Sequence, residues 1–373
     1  MKKVLIVGFT ENPGGIENVV MNYYRAMDRE NIQFDFLSNT SKIAYEEEIN
    51  SLGGKIFRIS SRTNNYKKYK KDMKAFFENN ANNYTAIWVN FCNLTNLDYL
   101  KYAKKYNIKC RIMHSHNSQN MASKIHLIVH KINKIFVGKY ATDFWACSDD
   151  AGRWFFNSKI MKSDKYRVIN NAIDMERFGF SLESRDKIRN ELELNDKLVI
   201  GNIGRLHFQK NHTFILDVFK EILEKEKNAV LLLVGQGEEE ENIKKKIKDL
   251  EIENNVKMLG IRKDVPELLH AMDIFLFPSV FEGFGLALLE AQGSGVKCFT
   301  SKDVVPEDVN VTNKVKFISL EKEAKYWAEE IFNSKSEILD RENNIIEIKQ
   351  IMSEKGYDIK TEAMKLQKYF EEN

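Results

Sequence analysis

The sequence is short of cysteine and of long apolar runs, and each shortage excludes a class of protein. The four cysteines lie far apart and form no Cys-x-x-Cys pair: Cys92, Cys110, Cys147 and Cys298. Their spacing excludes a common zinc pattern and predicts free thiols in a reducing cytoplasm. No apolar run reaches the roughly 18 residues that a membrane-spanning helix needs. The sequence therefore predicts no such helix.

The composition is otherwise ordinary, but the charge is unevenly divided. The chain has 373 residues, 43% hydrophobic and 30% charged, which is typical of a globular protein of two domains. Residues 1–178 have 28 Lys and Arg against 17 Asp and Glu, whereas residues 179–373 have 29 against 37. The excess of +11 in the first half predicts an anionic partner. No nucleic-acid motif accompanies it, so an anionic bilayer surface or a lipid-diphosphate acceptor is the better fit.

Short apolar runs alternate with polar helical stretches along the whole chain. Strands separated by helices indicate parallel sheets that are covered on both faces. The sequence therefore predicts an α/β chain with two Rossmann-like domains, at residues 1–178 and 179–355. The predicted strands are Lys3–Val7, Phe34–Leu37, Ile56–Ile59, Ala86–Val89, Arg111–Met113, Phe144–Cys147, Arg167–Ile169, Leu198–Ile203, Ala229–Val234, Val256–Leu259, Ile274–Phe277, Lys297–Thr300 and Lys316–Ile318.

Residues 278–290 are the most informative segment. They follow the apolar run Ile274–Phe277 and read Pro-Ser-Val-Phe-Glu-Gly-Phe-Gly-Leu-Ala-Leu-Leu-Glu. This pattern predicts a strand, a turn rich in backbone amides and a helix that begins near Leu286. A helix N-terminus binds phosphate, because its first amides are unpaired and its dipole is positive there. Glu282 and Glu290 would repel phosphate but can accept hydrogen bonds from sugar hydroxyls, so the segment predicts a nucleotide-sugar site.

Four further motifs precede this segment, and together the five cover nearly the whole chain. They are Pro13-Gly14-Gly15-Ile16-Glu17, His114-Ser115-His116-Asn117, Asn170-Asn171-Ala172-Ile173-Asp174 with Arg177-Phe178, and Gly204-Arg205 with Lys210-Asn211. In this order they resemble the retaining GT-B glycosyltransferases of family 4, and most closely the enzymes that build capsular or extracellular polysaccharide. The chain departs from that family after Gly295, where Val296-Lys297 replaces the usual proline. The departure concerns the shape of this loop and not the phosphate site.

The resemblance implies a fold and a set of donor-binding residues. The fold is GT-B, in which the two parallel sheets face a central cleft and the last segment, 356–373, packs back on the first domain through a helix at Ile359–Phe370. Two cations that reach one diphosphate would neutralise the charge of the leaving nucleotide. The implied donor-binding residues are Gly14 and Gly15 in the first domain, Arg205 and Lys210 at the diphosphate, the amides of Gly283, Phe284, Gly285 and Leu286, and Glu290 at the ribose.

Each of these roles has a structural alternative. Arg205 and Lys210 could form a solvated pair of surface cations. Glu290 lies in an apolar helical run, where an unpaired carboxylate is costly. A structural salt bridge could stabilise this carboxylate in place of hydrogen bonds from a ribose. The two glycines at Gly14 and Gly15 could form an ordinary turn.

The residues implied at the reaction centre are Glu282, which would hold the donor sugar, and a histidine. His114 and His116 lie two apart at the end of a predicted strand and so share a face. The family has a functional histidine in this loop, and His-Ser-His-Asn matches it with either residue, so both are candidates. His126 and His130 are spaced like half a zinc site but lack the glutamate and the third ligand, which favours a structural role.

The function implied is that of a retaining glycosyltransferase of the hexosyltransferase type. It would move a sugar from a nucleoside-diphosphate sugar, with UDP as the expected nucleotide, to a glycan or lipid-linked acceptor in cell-surface polysaccharide synthesis. No cofactor and no metal would be required. The expected location is the cytoplasm, at the inner face of the plasma membrane. The alternatives are a GT-B sugar-nucleotide epimerase or hydrolase, and a non-catalytic partner subunit of a glycosyltransferase.

Two basic stretches of the first half predict contact with an anionic membrane. Tyr66–Phe77 has five lysines beside Tyr69, Met73, Phe76 and Phe77, and Lys124–Lys139 has Lys131 and Lys134 among Ile125, Ile128, Ile132 and Ile135. Apolar and basic residues at helical spacing are typical of helices that lie in a bilayer interface. The alternative is that both are surface helices whose apolar faces pack on the sheet.

Overall fold

The computed structural model describes residues 1–117, 123–282, 284–334 and 341–373. In these ranges the strands are β1 (Lys2–Val7), β2 (Ile32–Ser38), β3 (Ile56–Arg58), β4 (Ala86–Phe91), β5 (Cys110–Ser115), β6 (Asp143–Ala146), β7 (Tyr166–Val168), β8 (Val199–Ile203), β9 (Val230–Val234), β10 (Val256–Gly260), β11 (Ile274–Phe277), β12 (Lys297–Ser301) and β13 (Val315–Ile318). The α-helices are α1 (Gly15–Ala26), α2 (Glu46–Ser51), α3 (Tyr66–Asn80), α4 (Asp98–Lys105), α5 (Lys124–Tyr140), α6 (Asp149–Phe155), α7 (Ser158–Met161), α8 (Met175–Phe178), α9 (Leu182–Glu191), α10 (His212–Lys225), α11 (Glu240–Asp249), α12 (Val265–Ala271), α13 (Leu286–Gly293), α14 (Ala324–Asn333), α15 (Arg341–Glu354) and α16 (Ile359–Glu372). No helix among the described residues is long and apolar enough to cross a bilayer.

The chain divides into two compact units. Unit 1 consists of Met1–Ala172 and Ile359–Asn373, and unit 2 consists of Ile173–Asp358. The division falls at residues 172 and 173, whereas the sequence places it after residue 178. The reason is α8, because its side chains Met175 and Phe178 are buried in the core of unit 2.

Unit 1 is built on a seven-stranded sheet in the order β3-β2-β1-β4-β5-β6-β7. Neighbouring strands are parallel, and β1 pairs with β2 from Lys2↔Ile32 to Val7↔Leu37. Helices cover both faces, as the apolar strands require. The last helix, α16, packs on α1, and its Phe370 ring lies 6.1 Å from that of Trp88. The C-terminal segment is therefore part of the core of unit 1.

Unit 2 is built on a six-stranded parallel sheet in the order β10-β9-β8-β11-β12-β13. Strands β9 and β11 are fully buried, as their uninterrupted apolar sequences require. The α/β prediction is confirmed, and every predicted strand is present with its ends shifted by at most a few residues. The helix expected near Leu286 is α13.

The two basic stretches of unit 1 differ in where their apolar residues lie. In α3, Tyr69, Met73 and Phe77 are completely buried, so the face predicted to meet a membrane packs on the sheet, and that prediction is wrong for this helix. In α5 the corresponding residues are exposed: Ile125, Ile128, Ile132 and Ile135. The two helices therefore have the same kind of sequence but opposite burial.

Candidate functional site

In unit 2 the strand order changes direction between β8 and β11. From β8 the sheet continues to β9 and β10 on one side, and from β11 it continues to β12 and β13 on the other. Parallel α/β sheets bind ligands at the carboxyl ends of their strands beside such a point. Arg205 and Lys210 lie in the loop 204–211 after β8, and Phe284 and Gly285 lie in the loop after β11. Leu286 and Glu290 follow in α13.

Main-chain and amide hydrogen bonds join these two loops. The Val280 amide donates to the Gln209 carbonyl at 2.9 Å. The side-chain amide of Gln209 donates in turn to the Phe281 carbonyl at 2.8 Å, and that of Asn211 donates to the Pro278 carbonyl at 3.2 Å. The loops therefore form one structure, in which a residue of the first has a fixed position relative to the second.

An ion pair between Lys210 and Glu282 completes this connection. The Lys210 Nζ and Glu282 Oε1 atoms lie 2.6 Å apart, and the two side chains are only 16% and 8% exposed. The ammonium also lies 4.5 Å from the centre of the Phe277 ring. The sequence assigns Lys210 to the diphosphate and Glu282 to the sugar, and it does not reveal that they bind each other. A buried pair of this kind positions both groups, because either charge alone would be costly there.

Arg205, by contrast, lies on the surface and has a different partner. Its side chain is 68% exposed and contacts Glu238 at 3.0 Å, and the His207 ring lies 3.3 Å from the other oxygen of the same carboxylate. The pKa of the Glu238 carboxyl is lowered by a hydrogen bond from the Glu238 backbone amide and by the charges of Arg205 and His207. Sequence reasoning missed Glu238 and His207.

Two glycines after β9 bring Glu238 to this edge of the sheet. Gly235 has φ of +136°, and a Cβ there would lie 2.0 Å from the Gly204 carbonyl oxygen. A Cβ on Gly237 would lie 2.3 Å from the Leu206 carbonyl oxygen. Only glycine fits such close backbone approaches. Glu238 could have been predicted as a site residue from the pattern Gly-Gln-Gly, which follows the apolar run of β9 directly before it.

The N-terminus of α13 lies at the end of the second loop. Gly285 takes a left-handed conformation with φ of +87°, and no side chain of the described residues caps the amides of the first turn, which begins at Leu286. The Phe284 ring is stacked on Tyr357, with the centroids 5.7 Å apart. Phe284 could therefore offer only its backbone to a ligand. Gly283 lies outside the described residues.

Glu290 lies in the second turn of α13, within apolar surroundings. Burial raises the pKa of its carboxyl to about 8, although the positive charge of Arg177 acts in the opposite direction. The raised pKa shifts the carboxyl towards its protonated form at neutral pH. A raised carboxyl pKa near a loop cluster is one physical indication of a functional site, and it agrees with a group that gains its partners from a ligand.

In unit 1 the strand order changes direction between β1 and β4, and Gly14 and Gly15 follow β1. A Cβ on Gly15 would meet no atom within 4 Å, and one on Gly14 would lie 2.9 Å from a Glu17 carboxylate oxygen. Glu17 is buried and accepts hydrogen bonds from the amide and hydroxyl of Thr10, both at 2.8 Å. The loop is thus held by Glu17, and the space at Gly15 is open.

The two candidate histidines have different surroundings. His114 is completely buried, and its Nδ1 accepts a hydrogen bond from Trp88 Nε1 at 3.1 Å. Its Nε2 has no hydrogen-bond partner among the described residues, and burial together with the neighbouring His116 holds the pKa of His114 well below its usual value. His114 is therefore a neutral ring packed in the core of unit 1, and its assignment as a catalytic residue stays a prediction.

His116 is partly exposed and lies past the end of β5. Its Nε2 lies 2.9 Å from Asn90 Oδ1, and the Asn90 amide nitrogen donates to the carbonyls of Val7 at 3.4 Å and Trp88 at 3.2 Å. These carbonyls orient the amide so that its oxygen accepts from His116, which leaves His116 Nδ1 as an acceptor. Burial lowers the pKa of His116 to about 3, so the ring is neutral.

Of the other two paired histidines, His130 has a structural role. His130 Nδ1 accepts from the Leu94 amide at 3.0 Å and Nε2 lies 3.0 Å from the Trp154 carbonyl oxygen. Both ring nitrogens are therefore used within unit 1. The described part of the chain has no group of three or more His, Cys, Asp or Glu residues that could hold a metal ion.

Comparison with known proteins identifies the family. Residues 184–333 match the model of the glycosyl transferases group 1. Over 367 residues the chain is 31% identical to EpsF of Bacillus subtilis (strain 168), a protein named as a glycosyltransferase, and the match covers 96% of this chain and 93% of EpsF. The chain belongs to the group 1 glycosyltransferases. The enzyme predicted from the sequence is therefore confirmed as a glycosyltransferase.

Two further comparisons concern a relative and a solved structure. The chain is 31% identical over 178 residues to the Escherichia coli UDP-Gal:alpha-D-GlcNAc-diphosphoundecaprenol alpha-1,3-galactosyltransferase, covering 47% of this chain and 46% of that enzyme. The crystal structure of Anabaena HepE in complex with UDP and glucose superposes with a TM-score of 0.79 at 18% identity, with complete coverage of both chains. The GT-B fold is thereby confirmed, and neither the epimerase nor the non-catalytic partner is supported.

Proposed function

We propose that this group 1 glycosyltransferase transfers a sugar from a UDP-sugar to a lipid-linked glycan acceptor in cell-surface polysaccharide synthesis. The choice of donor is supported by the UDP complex of HepE and the UDP-Gal donor in the name of the E. coli relative. The choice of acceptor is supported by the diphosphoundecaprenol carrier in that same name.

One observation supports the proposal most strongly: a helix N-terminus that no described side chain caps and a largely buried ammonium lie at two loops that are joined to each other. The N-terminus of α13 offers amides and a positive dipole end, and Lys210 supplies a positive charge on the neighbouring loop. A diphosphate is the part of a UDP-sugar that needs such surroundings. Arg205, which is exposed, would complete its neutralisation, and Glu290 would accept hydrogen bonds from the ribose.

The proposed course of transfer retains the configuration of the sugar. The bond between the anomeric carbon and the diphosphate oxygen breaks, and the acceptor hydroxyl forms its new bond on the same face. The hydroxyl proton passes to the departing diphosphate oxygen. Glu282 holds Lys210 at 2.6 Å, so we assign it to positioning this ammonium and the donor sugar rather than to attack on the anomeric carbon. His116, held neutral beside Asn90, would accept a hydrogen bond from a sugar hydroxyl.

Thermal unfolding with a panel of nucleotide sugars tests the donor. A ligand at 100 times its Kd raises the free energy of unfolding by about 2.7 kcal/mol. We expect UDP and one or more UDP-sugars to raise the melting temperature, and GDP- and ADP-sugars to do so less. The protecting UDP-sugar is then supplied with a GlcNAc-diphospholipid, and transfer is measured by mass spectrometry. Protection by a GDP- or ADP-sugar alone would overturn the choice of UDP.

A further inference from the structure

Helix α5 has a continuous row of exposed apolar side chains. Residues three and four apart share one face of a helix, and this spacing places the row along the length of α5. The exposed fractions are 73% for Ile125, 59% for Ile128, 49% for Ile132, 74% for Ile135 and 48% for Phe136. Single exposed apolar residues are common, but a row of five on one face is a candidate binding surface.

The orientation of α5 is fixed by its opposite face. His130 and Val137 are buried, and both nitrogens of the His130 ring are hydrogen-bonded within unit 1. The His130 ring is also stacked on Trp154, with the centroids 4.0 Å apart. Rotation of α5 that would bury the isoleucines would break these contacts. The apolar row is therefore a property of the folded unit.

Positive charge accompanies this row. Helix α5 contains four lysines, Lys124, Lys131, Lys134 and Lys139, and no Asp or Glu. Lys124, Lys131 and Lys139 are exposed, whereas the Lys134 ammonium donates to the Arg153 carbonyl. Unit 1 as a whole has 30 Lys and Arg against 18 Asp and Glu, a net charge of +12, whereas the whole chain has +3.

We propose that the exposed face of α5 docks on the surface of an anionic lipid bilayer. Its isoleucines would enter the boundary between headgroups and acyl chains, while lysines with long apolar stems reach the phosphates. A second copy of the chain fits this face poorly, because it would bring two lysine-bearing faces of strongly positive units together. The inference rests on α5 alone and stands whether or not the proposed donor is correct.

Co-sedimentation with lipid vesicles tests the proposal. The full chain is mixed with vesicles of phosphatidylglycerol and phosphatidylcholine, or of phosphatidylcholine alone, at low salt. The first variant, Ile128→Gln/Ile132→Gln/Ile135→Gln, keeps a good helix former at three exposed sites. The second variant is Lys124→Glu/Lys131→Glu/Lys139→Glu on α5. Its matched control is Lys67→Glu/Lys68→Glu/Lys71→Glu on α3. The control makes the same change of charge at exposed lysines, but on a helix whose apolar face is buried.

We expect wild type to sediment with the anionic vesicles only, and the glutamine variant to bind them at least tenfold more weakly. Each lysine near an anionic surface contributes about fivefold in affinity, so the α5 charge variant should lose much more than the α3 variant. Melting temperature and its increase with UDP serve as controls for folding and for the donor site, and both should be unchanged in every variant.

Three results would overturn the proposal. The first is equal vesicle binding by wild type and the glutamine variant, which would show that the row makes no contact with lipid. The second is an equal loss in the α5 and α3 charge variants, which would indicate general electrostatic attraction. The third is a wild-type dimer that the glutamine variant dissociates in light scattering, which would assign the face to a second copy.

Discussion

Lys210 and Glu282 depend on each other, so a change in one of them affects the other. Lys210→Met would leave the Glu282 carboxylate, 8% exposed, without its cation. Removal of one partner from a buried pair costs roughly 3–5 kcal/mol, and we expect a loss of this size in urea unfolding together with a loss of transfer. Lys210→Met/Glu282→Gln should recover much of the stability and none of the activity.

Arg205→Met is the matched control for that pair. Arg205 and its partner Glu238 form an ion pair on the protein surface, and such pairs contribute about 0–1 kcal/mol to stability. We expect near wild-type stability and reduced transfer in this variant. Equal stability of Lys210→Met and Arg205→Met would show that the Lys210–Glu282 pair contributes no more to the free energy of unfolding than the exposed Arg205–Glu238 pair.

Glu290 links stability, pH and nucleotide binding. Its pKa is about 8 in the folded chain, against an ordinary 4.5, so between these values the folded state keeps a proton that the unfolded state has lost. Stability is therefore lost as the pH rises through this window. Glu290→Gln has no such proton, and we expect its stability relative to wild type to increase from pH 5 to pH 8.

The same variant should bind UDP more weakly, since a carboxylate that accepts from ribose hydroxyls is worth roughly 1.5–3 kcal/mol. Wild-type affinity for UDP should rise as the pH passes through 8, because the ionised carboxyl is the better acceptor, and that of Glu290→Gln should stay constant. Calorimetry across this range measures both. Identical pH profiles for the two proteins would refute the ribose assignment.

The two histidines are separated by substitution. His116→Ala removes the partly exposed ring, and we expect kcat to fall. The loss of stability should not exceed the roughly 1–3 kcal/mol of the acceptor left unpaired at Asn90 Oδ1. His114→Phe keeps an aromatic ring in the core but deprives Trp88 Nε1 of its acceptor, at roughly 1–3 kcal/mol, and transfer should persist. An active His116→Ala beside an inactive, folded His114→Phe would reverse the assignment.

At the scale of elements, α16 makes the clearest prediction. Phe370 is 1% exposed in the core of unit 1, whereas Met364 on the same helix is 65% exposed. Phe370→Ala should lower the free energy of unfolding by roughly 3–5 kcal/mol, and Met364→Ala should change it by less than about 0.5 kcal/mol. Urea unfolding compares them, and similar values would mean that α16 contributes little to this core.

Strands and helix starts followed from the sequence, but the faces of helices did not. The short apolar runs of β9 and β11 are typical of strands buried on both faces, and Gly285 marks the start of α13. The stretches Tyr66–Phe77 and Lys124–Lys139 both place lysines beside apolar residues at helical spacing. Which of them packs on the sheet depends on tertiary contacts such as those of His130, and these are not encoded in local periodicity.

Which side chains contact each other could not be predicted from the sequence either. Lys210 and Glu282 are 72 residues apart, and their motifs predict the same site but not a bond between them. The pair arises because β8 and β11 are neighbours in the sheet, a fact of topology. His114 and His116 could not be distinguished for the same reason, since burial of the first depends on Trp88 and Trp145 from neighbouring strands.

At the scale of the whole molecule, the proposed mechanism stabilises the leaving diphosphate with side chains and a helix N-terminus. Transfer should therefore persist in excess EDTA, because no step needs a divalent ion. The rate with a protecting UDP-sugar is measured before and after chelation, and then with added magnesium or manganese. Complete loss with EDTA that either metal restores would contradict the proposed role of Lys210 and Arg205.

The division of the chain also has a consequence for its biosynthesis. Unit 2 is continuous in sequence, whereas unit 1 needs Ile359–Asn373 from the far end. During translation the strands of unit 1 leave the ribosome before unit 2, yet the surface around Trp88 and Trp145 lacks its covering helix until Ile359–Asn373 have followed unit 2. Unit 2 has its whole sequence available sooner. Unit 1 precedes unit 2 on the chain but needs residues from beyond unit 2 to complete its core.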